Sequence, residues 1–334
     1  MLKIITLYCL CLIILVSMVS CNDKKIKIGL LFSLINERTK IQIDCITAKV
    51  TELKGEVMVA SAELDDQRQI KQAKDMIAKN VKVLVVSPAN LYTAAAIVRE
   101  AHKHKVLVIA FDRLIRNCDL DYYVSFDYEK IGDIIAKYAI DHKPQGTYIM
   151  INGDKTDQNA RGINKGELRV LEPLIALGKI KVVYSTFVED WSDANAKSKI
   201  NKFIDLSCED TPDAILSSSD LMSSGILDAL NEHNLLGKVL LTGMDAKLKN
   251  CKNIIKGYQT MTVYKPIIKL AYKTAELAMA LASNNKINET TTTMWNGEKN
   301  VTSILFAPVM VDKNNIKTTL IADGIYNEEA LYEK

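Results

Sequence analysis

Apolar residues recur along this chain on two alternating periods. Short β-branched runs at 26–32, 56–60, 81–86, 106–111 and 122–126 alternate with stretches at 38–53, 66–79 and 92–103. In those stretches the apolar residues fall three and four apart, the spacing of one helix face. Between 66 and 79, Ile70, Ala73, Ile77 and Ala78 form such a face while Lys71, Lys74 and Asp75 turn to water. A repeated strand-then-helix order predicts a parallel sheet covered on both sides. The same module is then laid down again, with strands at 148–152, 181–187, 214–217, 239–242 and 260–263. Its helices read at 158–177, 193–206, 221–233, 247–256 and 266–283, and Pro144-Gln145-Gly146 punctuates the break between the series. Segment 283–300 is polar and reads as a surface loop or short hairpin, followed by one late strand at 301–311. A strand so detached from its series implies that the chain crosses between lobes more than once. The expected fold class is α/β, with two Rossmann-like lobes of parallel sheet joined by several crossovers. Residues 25–127 plus 266–300 are assigned to the first lobe and 128–265 plus 301–334 to the second.

Composition adds little to that picture except by exclusion. The 334 residues suit two packed lobes. The 43 Lys and Arg against 40 Asp and Glu are scattered, leaving a net charge of +3 and no basic stripe for nucleic acid. The N-terminus is more telling. Lys3 precedes an apolar run at 4–19, broken only by Thr6 and Ser17, and polar Asn22-Asp23-Lys24-Lys25 follows. This is the layout of an export signal, close in length to the shortest membrane span. Met18-Val19-Ser20-Cys21 is similar to a bacterial lipoprotein cleavage box, with Met18 where Leu is usual. Residues 1–21 are therefore expected to direct export, with a lipidated Cys21 or an uncleaved helix holding the body at the outer face of the membrane. Beyond Cys9, Cys11 and Cys21, four cysteines remain: Cys45, Cys118, Cys208 and Cys251. They are far apart, so either two disulfides or four separate thiols is open, and no His stands at metal-ligand spacing.

The motifs of phosphate binding and nucleophilic catalysis are missing. There is no Gly-rich P-loop, no dinucleotide fingerprint, no nucleophile elbow and no zinc-protease helix. No catalytic residue, metal or cofactor is expected. In open α/β sheets ligands bind beyond the carboxyl ends of the strands, and there polar residues gather. Asp112-Arg113 follow the fourth strand, Asp157-Gln158-Asn159 the sixth, and Glu189-Asp190-Trp191 the seventh. Ser218-Ser219-Asp220, Gly243-Met244-Asp245 and Tyr264-Lys265 close the next three. Carboxylates accept from hydroxyl pairs, guanidinium and amide groups donate to sugar oxygens, and an indole stacks on the C–H face of a pyranose. Each residue also has a plainer role. Asp112 and Asp245 could be caps, Arg113 could pair with Asp112, Trp191 could belong to the core, Asn159 could cap its helix, and Lys265 could be solvated. Their recurrence at successive strand ends is the argument.

Several blocks carry a family resemblance: Ala110-Phe111-Asp112-Arg113, Tyr123-Val124-Ser125-Phe126-Asp127 with Glu129-Lys130, Gly237-Lys238-Val239, Gln259-Thr260-Met261-Thr262-Val263-Tyr264-Lys265-Pro266 and Lys313-Asn314-Asn315-Ile316-Lys317. From about Lys25 onward the chain resembles the D-xylose-binding proteins of the type I periplasmic sugar-binding family. The resemblance implies a pentose held between two lobes that close on it. It places Arg38 (after Glu37), Asp112, Arg113, Asn159, Trp191, Ser219, Asp245 and Lys265 against the sugar. Two positions depart: Thr39 stands where the family has Trp, and Ser219 where it has Asn. It also implies a membrane partner that reads the closed form. That partner is either a sensor histidine kinase, slightly favoured here on the Lys-, Asn- and Ile-rich composition and altered pocket, or an ABC permease.

Overall fold

The structure, a computed structural model, describes residues 25–206, 211–285, 287 and 290–333. The export segment with Cys21, and Cys208, lie outside the described residues. No helix among the described residues is long and apolar enough to cross a membrane.

The first half builds a sheet from β1 (Lys27–Phe32), β2 (Glu56–Ser61), β3 (Val83–Val86), β4 (Leu107–Phe111) and β5 (Tyr122–Phe126). Helices α1 (Glu37–Glu52), α2 (Asp66–Ala78) and α3 (Ala95–Lys103) connect its first four strands. All four residues of β3 are buried, as expected of a strand covered on both faces. β2, at the edge, keeps several side chains partly in water. The second half comprises α4 (Tyr128–His142), β6 (Gly146–Asn152), α5 (Gln158–Ala176), β7 (Ile180–Phe187), α6 (Asp193–Leu206), β8 (Ala214–Ser217), α7 (Asp220–Glu232), β9 (Leu240–Leu241), α8 (Leu248–Lys256) and β10 (Met261–Tyr264). Its parallel sheet has the order β7-β6-β8-β9. The chain then returns through α9 (Ile267–Ala282), which packs on α1, and continues as β11 (Thr292–Trp295), β12 (Asn300–Phe306), β13 (Val309–Asp312) and α10 (Glu328–Tyr332).

Two departures from the sequence pattern have clear causes. The late strand at 301–311 is two strands. β12 pairs parallel with β5 in the first sheet, and β13 pairs antiparallel with β10. Residues 300–306 thus belong to the first sheet rather than to the second lobe. Pro308, which has no N–H to give to a ladder, stands between them. The polar segment before them ends in a short hairpin, one of the two forms expected of it: β11 pairs antiparallel with β12 through the loop 296–299, where Gly297 has φ 102°. Finally, α4 is an additional helix between the two series. Ile131, Ile135 and Ala139 make its buried stripe, and Asp127 caps it by accepting from Lys130 N–H at 2.9 Å. The first sheet takes the order β11-β12-β5-β4-β3-β1-β2.

α4 and α5 approach so closely that their backbones touch through glycine. A Cβ on Gly132 would lie 2.0 Å from the Ile163 carbonyl, and one on Gly166 would lie 2.0 Å from that of Glu129. The chain passes between the sheets three times: from β5 into α4, from β10 through Lys265-Pro266 into α9, and from β12 into β13. Cys45, Cys118 and Cys251 are free thiols, which removes the two-disulfide arrangement.

Candidate functional site

Part of the set expected at the strand ends meets between the lobes, Arg38 with Asp245 and Arg113 with Asp157. Arg38 stands in the first turn of α1. That helix starts on a reciprocal cap in which Thr39 N–H donates to Asn36 Oδ1 at 3.0 Å and Asn36 N–H donates to Thr39 Oγ1 at 2.8 Å. Thr39, where the resemblance implies Trp, therefore works as a helix-start residue. The Arg38 guanidinium reaches Asp112 at 3.4 Å in its own lobe and Asp245 at 3.7 Å in the other. Asp245 Oδ1 also lies 2.9 Å from Lys265 Nζ, an ion-pair contact without hydrogen-bond geometry, and Lys265 is only 4% exposed. The Lys265 ammonium sits 5.3 Å from the Tyr128 ring centre and 5.9 Å from that of Phe126, so it links two of the crossovers.

Both aspartates occupy left-handed backbone, with φ 65° at Asp112 and 105° at Asp245. Such conformations persist only where the surroundings impose them. At Asp112 they do: its carbonyl accepts from Tyr123 Oη at 3.0 Å and Ser125 Oγ at 2.8 Å. The side chain accepts from Tyr128 Oη at 2.7 Å. Tyr128 is absent from the residues that sequence singles out; its only signal there is its position directly after the Phe126-Asp127 crossover.

Electrostatics keep the cluster ionised. Burial works against the charge of Asp112, but Arg38, then Lys265 and the Tyr128 hydroxyl, outweigh it and hold the carboxyl below the ordinary range. Burial likewise opposes the charge of Asp245, and Lys265 and Arg38 overcome it. Arg38 is desolvated too, yet Asp112 and Asp245 hold its pKa above the ordinary value.

Arg113 does not pair with Asp112. Its guanidinium crosses to Asp157 at 3.5 Å, and its Nε is buried without a partner. Asp157, not Asn159, caps α5, accepting from the Asn159 N–H at 2.9 Å. Asn159 is buried as the second residue of that helix. Trp191 is half-buried and lies flat on Gly153, where a Cβ would come within 2.3 Å of the indole. The loop that presents it, with φ 55° at Asp190 and 54° at Trp191, is held by the Asp190 N–H donating to Asp154 Oδ2 at 3.0 Å. Ser219 is the N-cap of α7, its hydroxyl accepting from Met222 N–H at 3.2 Å. Asn159 and Ser219 thus sit at helix starts beside the ion-pair cluster rather than within it. On the rim, Arg116 of the first lobe donates to Gln158 Oε1 of the second at 3.1 Å.

Three cations, Arg38, Arg113 and Lys265, are matched by three anions, Asp112, Asp157 and Asp245. A neutral molecule with many hydroxyls can exchange its own hydrogen bonds for these contacts, group by group.

Comparison with known proteins agrees with this geometry. Residues 39–286 match the family described as periplasmic binding protein domain. The chain is 43% identical over 314 residues to the D-xylose-binding periplasmic protein of Haemophilus influenzae, covering 94% of each. It is 38% identical over 323 residues to the D-xylose-binding periplasmic protein of Escherichia coli, covering 96% of this chain and 97% of the relative. Among solved structures, an ABC transporter solute binding protein from Clostridium phytofermentans with bound beta-D-glucose superposes with a TM-score of 0.81 at 26% identity, covering 91% of this chain and 99% of the other. With a family match spanning most of the sequence and near-full-length relatives above 30% identity, the chain belongs to the periplasmic binding protein domain family.

Proposed function

We propose that this protein is the extracytoplasmic D-xylose-binding component of an ABC importer and that it binds its sugar without chemical change. The observation that carries the reading is Arg38 suspended between Asp112 of one lobe and Asp245 of the other. A pentose entering there can engage both lobes at once, and only contacts made to both favour the closed form. The near-full-length likeness to two D-xylose-binding proteins supports the choice of sugar.

The importer is preferred over the sensor kinase expected from composition and the altered pocket. The solved relative at TM-score 0.81 is an ABC transporter solute binding protein, which favours the importer. Co-purification from membranes with and without xylose tests the partner: recovery of a histidine kinase in place of permease components would reverse the preference. Anchoring through residues 1–21 is part of the same proposal, and mass spectrometry of the mature N-terminus checks it.

Calorimetric titration with xylose, ribose, arabinose and glucose tests the ligand. Xylose is expected to bind most tightly; no heat from any of the four would sink the reading. Trp191→Ala is expected to weaken xylose binding about tenfold, the scale of one lost stacking contact and its buried area. Unchanged affinity in that variant would place the sugar elsewhere.

A further inference from the structure

Behind Asp245 lies a second carboxylate, Asp220, which is not itself among the expected ligand positions. Asp220 opens α7 and is fully buried. Its Oδ1 accepts from Gln259 Nε2 at 2.9 Å and Thr262 Oγ1 at 3.0 Å, and its Oδ2 accepts from Lys247 N–H at 2.8 Å. Thr262 Oγ1 is also 3.0 Å from Oδ2. The backbone N–H of Asp220 donates to the Met244 carbonyl at 2.7 Å. Met244 and Lys247 bracket the turn that carries Asp245, where φ is 105° at Asp245 and 50° at Ala246. Thr262 Oγ1 accepts in addition from Ala246 N–H at 3.2 Å. One residue therefore holds both ends of a strained turn. The approach is close enough that a Cβ on Gly243 would fall 2.1 Å from Asp220 Oδ1.

Every one of these partners of the carboxylate donates, an arrangement made for an anion. Yet burial above all, with the like charge of Asp245, pushes the group up to about 7 against the pull of its donors. The titratable groups facing it are Asp245 from the turn, the Cys251 thiol from α8 and the Tyr326 phenol from the C-terminal segment. Burial raises the last two, so both stay neutral near that pH. No cation pairs with Asp220 among the described residues.

We propose that Asp220 is the positioning residue for Asp245: as an anion it fixes the 244–247 turn, and on taking up a proton from solvent it releases the turn and weakens the grip on the sugar. The inference rests on the sugar-binding reading for its affinity arm, while a second arm needs no sugar. Stability and affinity respond in opposite senses. A folded carboxyl titrating above the unfolded one favours the folded state as pH falls through that window, so lost binding there is not unfolding. Asp112 and Asp245, held below the ordinary range, give no step near neutrality.

The expected Kd for D-xylose rises about tenfold from about pH 8 to about pH 6, the scale of one hydrogen bond to a charged group. Binding also releases protons in that range, seen as a dependence of the calorimetric heat on the buffer. Asp220→Asn is expected to bind weakly with no pH step, and Thr262→Val, lacking the bifurcated donor, to shift the step to higher pH. A flat wild-type profile, or a step kept by Asp220→Asn or unmoved in Thr262→Val, overturns the proposal. In the sugar-free arm, the 13C carboxyl signal of Asp245 should follow the titration of Asp220. An Asp245 signal that ignores it overturns the proposal whether or not sugar binds. Coupled signals in a protein that binds no sugar at any pH uphold the positioning role and sink the sugar reading alone.

Discussion

Replacing Asp245 by Ala raises the Kd for D-xylose about a hundredfold, close to 3 kcal/mol, and calorimetric titration reads the loss directly. Two effects combine. The sugar loses a charged acceptor, each hydrogen bond to such a group being worth about 1.5–3 kcal/mol. Lys265, at 4% exposure, loses the carboxylate 2.9 Å away that offsets its desolvation, and Arg38 loses its contact to the second lobe. Asp245→Asn separates these effects, since it keeps the shape and an acceptor oxygen while removing the charge. If Asp245→Ala binds xylose as wild type does, the cluster around Arg38 is structural and the site lies elsewhere.

A large loss of stability is expected from Gly166→Ala, a substitution at the contact between α4 and α5 rather than in the ion-pair cluster. Its Cβ would lie 2.0 Å from the Glu129 carbonyl and 2.9 Å from the Asp133 N–H, both backbone atoms that no side-chain rotation can move. α4 and α5 must separate or tilt, at a cost of about 3 kcal/mol, at the upper end of overpacking. The higher helix propensity of Ala returns less than about 1 kcal/mol. Urea unfolding checks this through the midpoint at constant slope. A variant as stable as wild type would mean that the two helices do not pack through their glycines. The ion pairs across the same interface, Arg169 with Glu129 and Asp133 and Lys165 with Glu129, are exposed and cannot compensate.

Much of this protein is legible in its sequence. The β-branched runs of 83–86 and 107–111 are long enough and apolar enough to be buried strands in any packing, and the apolar spacing of 66–78 allows one helix face. Alternation of the two leaves a parallel sheet as the solution, because backbone sterics and burial of apolar faces act locally. The polar strand ends at Asp112, Trp191, Asp245 and Lys265 follow from the same rule, since ligands collect where parallel strands stop.

What the chain does not disclose is pairing at a distance. Arg113 stands beside Asp112 in sequence, and adjacency suggests an ion pair. The left-handed turn at Asp112 instead sends Arg113 to Asp157 and leaves Asp112 to Arg38, 74 residues earlier. Sheet membership of 300–306 depends on where Pro308 lets the strand end. Tyr128 meets Asp112, and Asp220 meets Gln259, Thr262 and the Lys247 N–H, only because separate elements bring them together. Local patterning determined which segments are strands and helices, since that depends on a few neighbouring residues. Which charges meet depends on Coulomb contacts between elements whose separation the sequence does not encode in any short stretch, and so only the tertiary structure decided it.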